Sequence, residues 1–129
     1  MAASSVDFVK GIYADFETGN IPEILGTMDP NIRWDEAAGM PFGGIFNGPE
    51  EVLNGVLKNI GVFFDDFKIN PVDIFANEDG TKVTMYGHYT AINKATGTSV
   101  KANTAHIISI KDGKIFDFFQ TSDTFSLLK

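Results

Sequence analysis

Apolar side chains recur at Val6, Val9, Ile12, Tyr13 and Phe16, a spacing of three and four that predicts an amphipathic helix over Val6–Thr18. Ser4 or Ser5 would cap its start, and Gly19-Asn20 would stop it. A short helix is expected at Pro22–Met28, opening on a proline that a first turn tolerates and ending before Asp29-Pro30. Ile32, Trp34 and Glu36 then alternate with Arg33 and Asp35, the pattern of a brief strand. Ala37–Gly48 carries four glycines and one proline among Met40, Phe42, Ile45 and Phe46, so it reads as a loop folded over the core. Gly48-Pro49-Glu50-Glu51 opens a third helix with acids in the first turn, where the helix dipole favours them. Val52, Val56, Leu57, Ile60 and Phe64 carry that helix towards Asp65-Asp66.

From Phe67 the period falls to two. Phe67–Ala76, Lys82–Asn93 and the stretch Ser99–Asp123 read as strands separated by Asn77-Glu78-Asp79-Gly80 and Lys94-Ala95-Thr96-Gly97. Within Ser99–Asp123, the turn Lys111-Asp112-Gly113 predicts a hairpin. Alternation puts Thr104, His106, Ile108 and Ile110 on one face of its first strand, and Phe116, Phe118 and Gln120 on one face of its second. A three-residue turn closed by Gly113 would set His106 opposite Phe118; a strict two-residue turn would set it opposite Phe119. The three-residue form is the one expected. In the preceding strand Val83, Met85 and Gly87 point inward and Tyr86 and His88 outward. An outer face with Tyr86, His88, Ile107 and Phe119 is aromatic enough to suggest a covering sheet. The whole predicts one α+β domain over residues 1–129, three N-terminal helices on a curved, mostly antiparallel sheet.

Composition narrows the function. Twelve phenylalanines among 129 residues supply core and also suit the walls of an apolar pocket. A net charge of −7 with a single arginine, Arg33, argues against nucleic acid or an anionic membrane as partner. The absence of cysteine removes disulfides, thiolate nucleophiles and thiolate metal ligands, and two separated histidines do not make a zinc site. No basic segment leads into a long apolar run, and no stretch reaches spanning length, so a cytoplasmic protein without a cofactor is expected.

Several short motifs, in order, carry a resemblance. They are Thr18-Gly19-Asn20, Ile32-Arg33-Trp34, Pro41-Phe42-Gly43-Gly44 before Asn47-Gly48-Pro49-Glu50, and Ala95-Thr96-Gly97. Ala105-His106-Ile107, Lys111-Asp112-Gly113-Lys114-Ile115 and Gln120-Thr121-Ser122-Asp123 complete the set. Together they resemble the NTF2-like superfamily, in its SnoaL-like and ketosteroid isomerase-like branch. The resemblance implies a cone in which sheet and helices enclose a deep apolar cavity that holds a small apolar ligand. Its expected lining includes Tyr13, Phe16, Trp34, Met40, Phe42, Phe64, Met85, Thr104, Ile108, Phe118 and Gln120. It also implies a homodimer formed through the outer sheet face.

The same resemblance marks candidate chemistry. By that resemblance, His106 falls where the steroid isomerases hold a protonated carboxylic acid, an acid kept neutral by its apolar site. A histidine there could donate a hydrogen bond or act as acid or base. The residues alone allow a core histidine bonded to a hydroxyl such as Thr104. The isomerases' general base falls at Glu36, or at Asp35 if the register slips by one. A carboxylate beside Trp and Phe would have its pKa raised by desolvation, whereas two acids leading into an exposed loop would not. The isomerases' oxyanion tyrosine falls at Ile12, next to Tyr13. SnoaL-like cyclases place an acid near Asp123, which equally suits a cap on the final turn Thr124–Leu127. Gln120 stands where hydrolytic relatives carry an acid, and one arginine does not supply the Asp-Arg-Asp set of the superfamily's epoxide hydrolases. Three functions follow: proton-transfer isomerisation or aldol-type cyclisation of an apolar carbonyl compound, non-catalytic binding of a small apolar ligand, or an interaction module.

Overall fold

A computed structural model describes residues 2–129. The helices are α1 (Ala2–Glu17), α2 (Ile21–Gly26), α3 (Pro49–Val52), α4 (Lys58–Phe63) and α5 (Thr124–Leu127). The strands are β1 (Met28–Glu36), β2 (Gly44–Asn47), β3 (Phe64–Ala76), β4 (Lys82–Asn93), β5 (Thr98–Lys111) and β6 (Lys114–Ser122). They form one sheet in the order β2-β1-β6-β5-β4-β3, antiparallel except for the β1–β6 pair, which is parallel. Helix α1 packs on β3 and β4. The core between the layers includes Val9, Ile32, Val52, Val56 and Leu127, all essentially sealed from solvent.

Boundaries differ from the sequence expectations where long-range contacts compete with local signals. Helix α1 already runs at Ala2, so Ser4 and Ser5 lie inside it rather than capping it, and Ser5 Oγ donates to the Gly80 carbonyl at 2.7 Å. Met28 leaves the second helix to begin β1. The stretch expected to be a loop contains the edge strand β2, paired with β1 from Arg33↔Asn47 to Glu36↔Gly44, while Met40 and Phe42 are buried as expected. The third helix contains a π-helical turn, Leu53–Leu57, between α3 and α4. Gly55 lies in that turn under the Phe46 ring, where a Cβ would stand 2.2 Å from a ring carbon. The wider turn lets the successive residues Val56 and Leu57 both reach the interior cavity.

The β5–β6 hairpin corrects both expected registers. Asp112 and Gly113 are both left-handed, with φ of 52° and 73°, as a two-residue type I′ turn requires, and Lys111 faces Lys114. One extra residue, Phe116, then bulges out of β6 between the pairs Ile110↔Ile115 and Ser109↔Asp117. Beyond it His106 faces Gln120 and Ile108 faces Phe118. The bulge restores the parity that the three-residue turn would have had. Thr104, His106, Ile108, Phe118 and Gln120 therefore share the buried face, while Phe116 is turned out and 39% exposed. On β4, Val83, Met85, Gly87, Tyr89 and Ala91 face inward. The edge strand β3 approaches so closely that a Cβ on Gly87 would sit 2.2 Å from the Asn70 carbonyl oxygen.

Candidate functional site

A narrow cavity lies between the sheet's inner face and the helices, with about 60 Å³ open to the centre of a water molecule. Its walls are almost wholly apolar. Of the residues expected to line it, Tyr13, Phe16, Trp34, Glu36, Met40, Phe42, His106, Ile108, Phe118 and Gln120 do. The parallel β1–β6 pairing sets Trp34 beside Phe118, so their rings stack with centroids 3.7 Å apart and planes 13° from parallel. Phe118 also meets the His106 ring at 4.9 Å.

Four expected site residues lie elsewhere. Asp123 is outside the cavity because its carboxylate caps α5, accepting from the Ser126 amide at 3.1 Å. Hydrogen bonds from the Ser126 side chain and from its amide hold the Asp123 pKa below the ordinary value, the opposite of a neutral-pH acid. Phe64 is buried against Phe67 at the start of β3 rather than at the void. Met85 is fully buried opposite His106, near the end of the sheet that the Ser5–Gly80 contact closes with α1. Thr104 stands behind the wall, its Oγ1 2.8 Å from Ser122 Oγ.

The polar atoms of the cavity form one directed chain. Strand parity decides between the two acids at its end: Asp35 points outward to Arg33 at 3.8 Å, and Glu36 points inward with only 3% of its surface exposed. Trp34 Nε1 donates to Glu36 Oε1 at 2.8 Å, and the Gln120 amide also donates to the carboxylate. Burial nevertheless dominates and pushes the Glu36 pKa up to about 7. Gln120 Oε1 accepts from the Tyr89 hydroxyl at 2.8 Å and from Ser122 at 3.0 Å. Tyr89 Oη lies 2.6 Å from His106 Nε2, and Tyr13 Oη lies 2.8 Å from His106 Nδ1.

Burial drives the His106 pKa down to about 3, so the ring is neutral and carries one proton. The hydroxyl proton of Tyr89 is committed to Gln120, so Tyr89 accepts from Nε2–H and Nδ1 accepts from Tyr13. Both ring nitrogens are thus taken by protein hydroxyls. Burial also raises the pKa of Tyr13 and Tyr89 above the ordinary range, so both remain phenols. Among the described residues no buried side-chain nitrogen or oxygen lacks a partner.

Tyr89 was missed by sequence reasoning, although it shares strand parity with Val83, Met85 and Gly87. Tyr13, not Ile12, brings the hydroxyl to the network, and both residues line the cavity. Among the described residues no group of three or more His, Cys, Asp or Glu could hold a metal ion. No described helix is long and apolar enough to cross a membrane.

This cone, with a buried acid and imidazole facing an apolar void, is the NTF2-like architecture. The family model of the SnoaL-like domain matches residues 9–118, so the chain belongs to the SnoaL-like domain family. It is similar to an NTF2-like protein from Burkholderia thailandensis, at 25% identity over 95% of this chain and 93% of that one, with a TM-score of 0.88. It has the fold of TerC co-crystallised with polyporic acid, at 21% identity over 95% and 94% of the two chains and a TM-score of 0.83. It also has the fold of a Pseudomonas putida protein provisionally named a polyketide cyclase, at 16% identity over 99% and 96% and a TM-score of 0.79. No functionally curated protein matches the chain.

Proposed function

We infer that the protein binds a small, flat, apolar carbonyl compound in the cavity and moves a proton on it, with Glu36 as the base. The observation that carries this reading is a carboxylate at the wall of an apolar void, with its pKa pushed up to about 7 by burial. Such a group is half ionised near neutral pH and holds its proton about as readily as it releases it, as general acid–base work requires. Glu36 takes a proton from the carbon next to the carbonyl, and the electron pair of that C–H bond forms the enolate. Return of the proton from Glu36 at another carbon is isomerisation; attack of the enolate carbon on a second carbonyl, whose π pair moves to its oxygen and takes the proton back from Glu36, is an aldol-type cyclisation. Neither needs a cofactor. The family membership and the polyketide cyclase name of one structural neighbour support the same class.

The test is proton exchange. With 1-indanone in D2O, proton NMR should show protein-dependent exchange of the hydrogens beside the carbonyl. Its rate should rise with pH through about 7, as the carboxylate form accumulates. Glu36→Gln should lower the rate by roughly 100-fold or more. Exchange no faster than in buffer would leave the second reading, a non-catalytic binding protein. That reading draws support from the pairing of both His106 ring nitrogens with protein hydroxyls, which leaves the imidazole no free atom for a ligand.

A further inference from the structure

The direction of the hydrogen-bond chain has a chemical consequence at the cavity wall. It begins at Glu36, which accepts from the Gln120 amide and so orients that amide with its nitrogen toward the acid. The oxygen end then faces Tyr89 and Ser122 and can only accept. Tyr89 must spend its single proton on Gln120, so it faces His106 Nε2 as an acceptor. A neutral imidazole with its proton on Nε2 has a bare Nδ1, and the Tyr13 hydroxyl fills it. Each choice forces the next. At the far end, Tyr13 lines the cavity with its proton already committed and only oxygen lone pairs left for a ligand.

We propose that Tyr89 is a positioning residue that locks the His106 tautomer, so that Tyr13 offers the cavity an acceptor and selects a ligand bearing a hydroxyl at that point. This rests on the reading of the cavity as a ligand site and adds a substrate class to it: a planar carbonyl compound that is also a phenol or enol. A ligand carbonyl placed against Tyr13 would have to draw away the proton held by His106 and leave a buried ring nitrogen unpaired, which is unfavourable. A ligand hydroxyl donates to Tyr13 without disturbing the chain.

Loss of the Tyr89 hydroxyl releases the lock. With Phe at position 89, Nε2–H would be an orphaned donor, which is less tolerated than an orphaned acceptor. The imidazole proton then moves to Nδ1 and donates to Tyr13, whose own hydroxyl is freed for a ligand carbonyl.

The experiment compares 2-naphthol with 2-acetonaphthone by calorimetric titration and records nitrogen-15 spectra of His106. In the wild type the naphthol should bind roughly tenfold more tightly, and the spectrum should show the Nε2–H tautomer. In Tyr89→Phe the tautomer should switch and the preference should move toward the ketone by a similar factor. A wild-type Nδ1–H tautomer, or equal or stronger binding of the ketone, overturns the proposal even if the variant does not fold. An unchanged tautomer and preference in a folded Tyr89→Phe does the same. If neither probe binds, the ligand-site reading falls and takes this inference with it; if both bind without preference, only this inference falls.

Discussion

Glu36 and His106 are moved in opposite directions by the same cause, removal from water. The ordinary value of Glu36 is 4.5 and the fold raises it to about 7; that of His106 is 6.5 and the fold lowers it to about 3. Between about pH 4.5 and 6.5 the unfolded chain has an ionised Glu36 and a protonated His106, while the folded chain has a protonated Glu36 and a neutral His106. Each state then holds one proton on the pair, so the pair makes stability independent of pH in that window. Below it the unfolded chain gains a second proton and stability falls. Just above it the folded chain keeps a proton that the unfolded chain has lost, and stability falls again until about pH 7. Glu36→Gln should unmask the histidine: stability should climb between pH 4.5 and 6.5 by up to about 1.4 kcal/mol per pH unit. At pH 8 the variant should exceed the wild type by about 3 kcal/mol, because it no longer buries an ionised acid. Urea unfolding at a series of pH values reads both effects.

The β5–β6 hairpin absorbs one more residue than its ladder pairs, and that extra residue sets which faces the rest of β6 presents. Phe116 is 39% exposed and occupies the bulge that brings His106 opposite Gln120. Phe116→Ala removes half-exposed apolar surface and should cost about 1 kcal/mol or less. Deletion of Phe116 should remove the bulge and let Ile110↔Ile115 run straight into Ser109↔Asp117, with Phe118 and Gln120 still on the inner face. The Trp34–Phe118 stack and the acceptor of Tyr89 are kept, so the deletion should cost little more than Phe116→Ala. Thermal unfolding of the two variants side by side checks this; a large loss confined to the deletion would show that the bulge itself holds β6 in place. The same alternation on β1 sends Glu36 inward and Asp35 to Arg33, so neighbouring acids have unlike environments.

At the scale of the molecule, the face of the sheet turned away from the helices is unusually apolar. Tyr86 is 48% exposed, and the cross-strand pair Ile107 and Phe119 are each 38% exposed. We propose that a second copy of the chain covers this face, as expected from the alternation of β4, β5 and β6. Light scattering at micromolar concentration should give twice the 14.1 kDa chain mass. Phe119→Lys should give the single mass, because it places a charge where the two sheets would meet. A single mass for the wild type would count against this assembly without touching the cavity, which a single chain encloses.

Alternation along β1, β4, β5 and β6 was legible from the chain because side-chain direction in a strand is a short-range property. It set Phe118 and Gln120 on one face of β6 and His106 on the matching face of β5, and it put Glu36 with Trp34, inside only if Trp34 packs inward; the order of short motifs placed these strands in an NTF2-like cone. Which atoms meet was decided only by the folded chain. Tyr13 and His106 are 93 residues apart, and nothing local to either says that their side chains bond. Tyr89 had the correct parity, but its partners come from the neighbouring strand and the one beyond it. The bulge at Phe116 depends on how β6 settles against β1 and β5 together, so the turn residues alone pointed to the wrong register. Asp123 and Glu36 are the same chemical group to a reader of sequence. One caps a surface turn and the other lies beneath Trp34 and Gln120, so only tertiary desolvation separates a low pKa from one near neutrality.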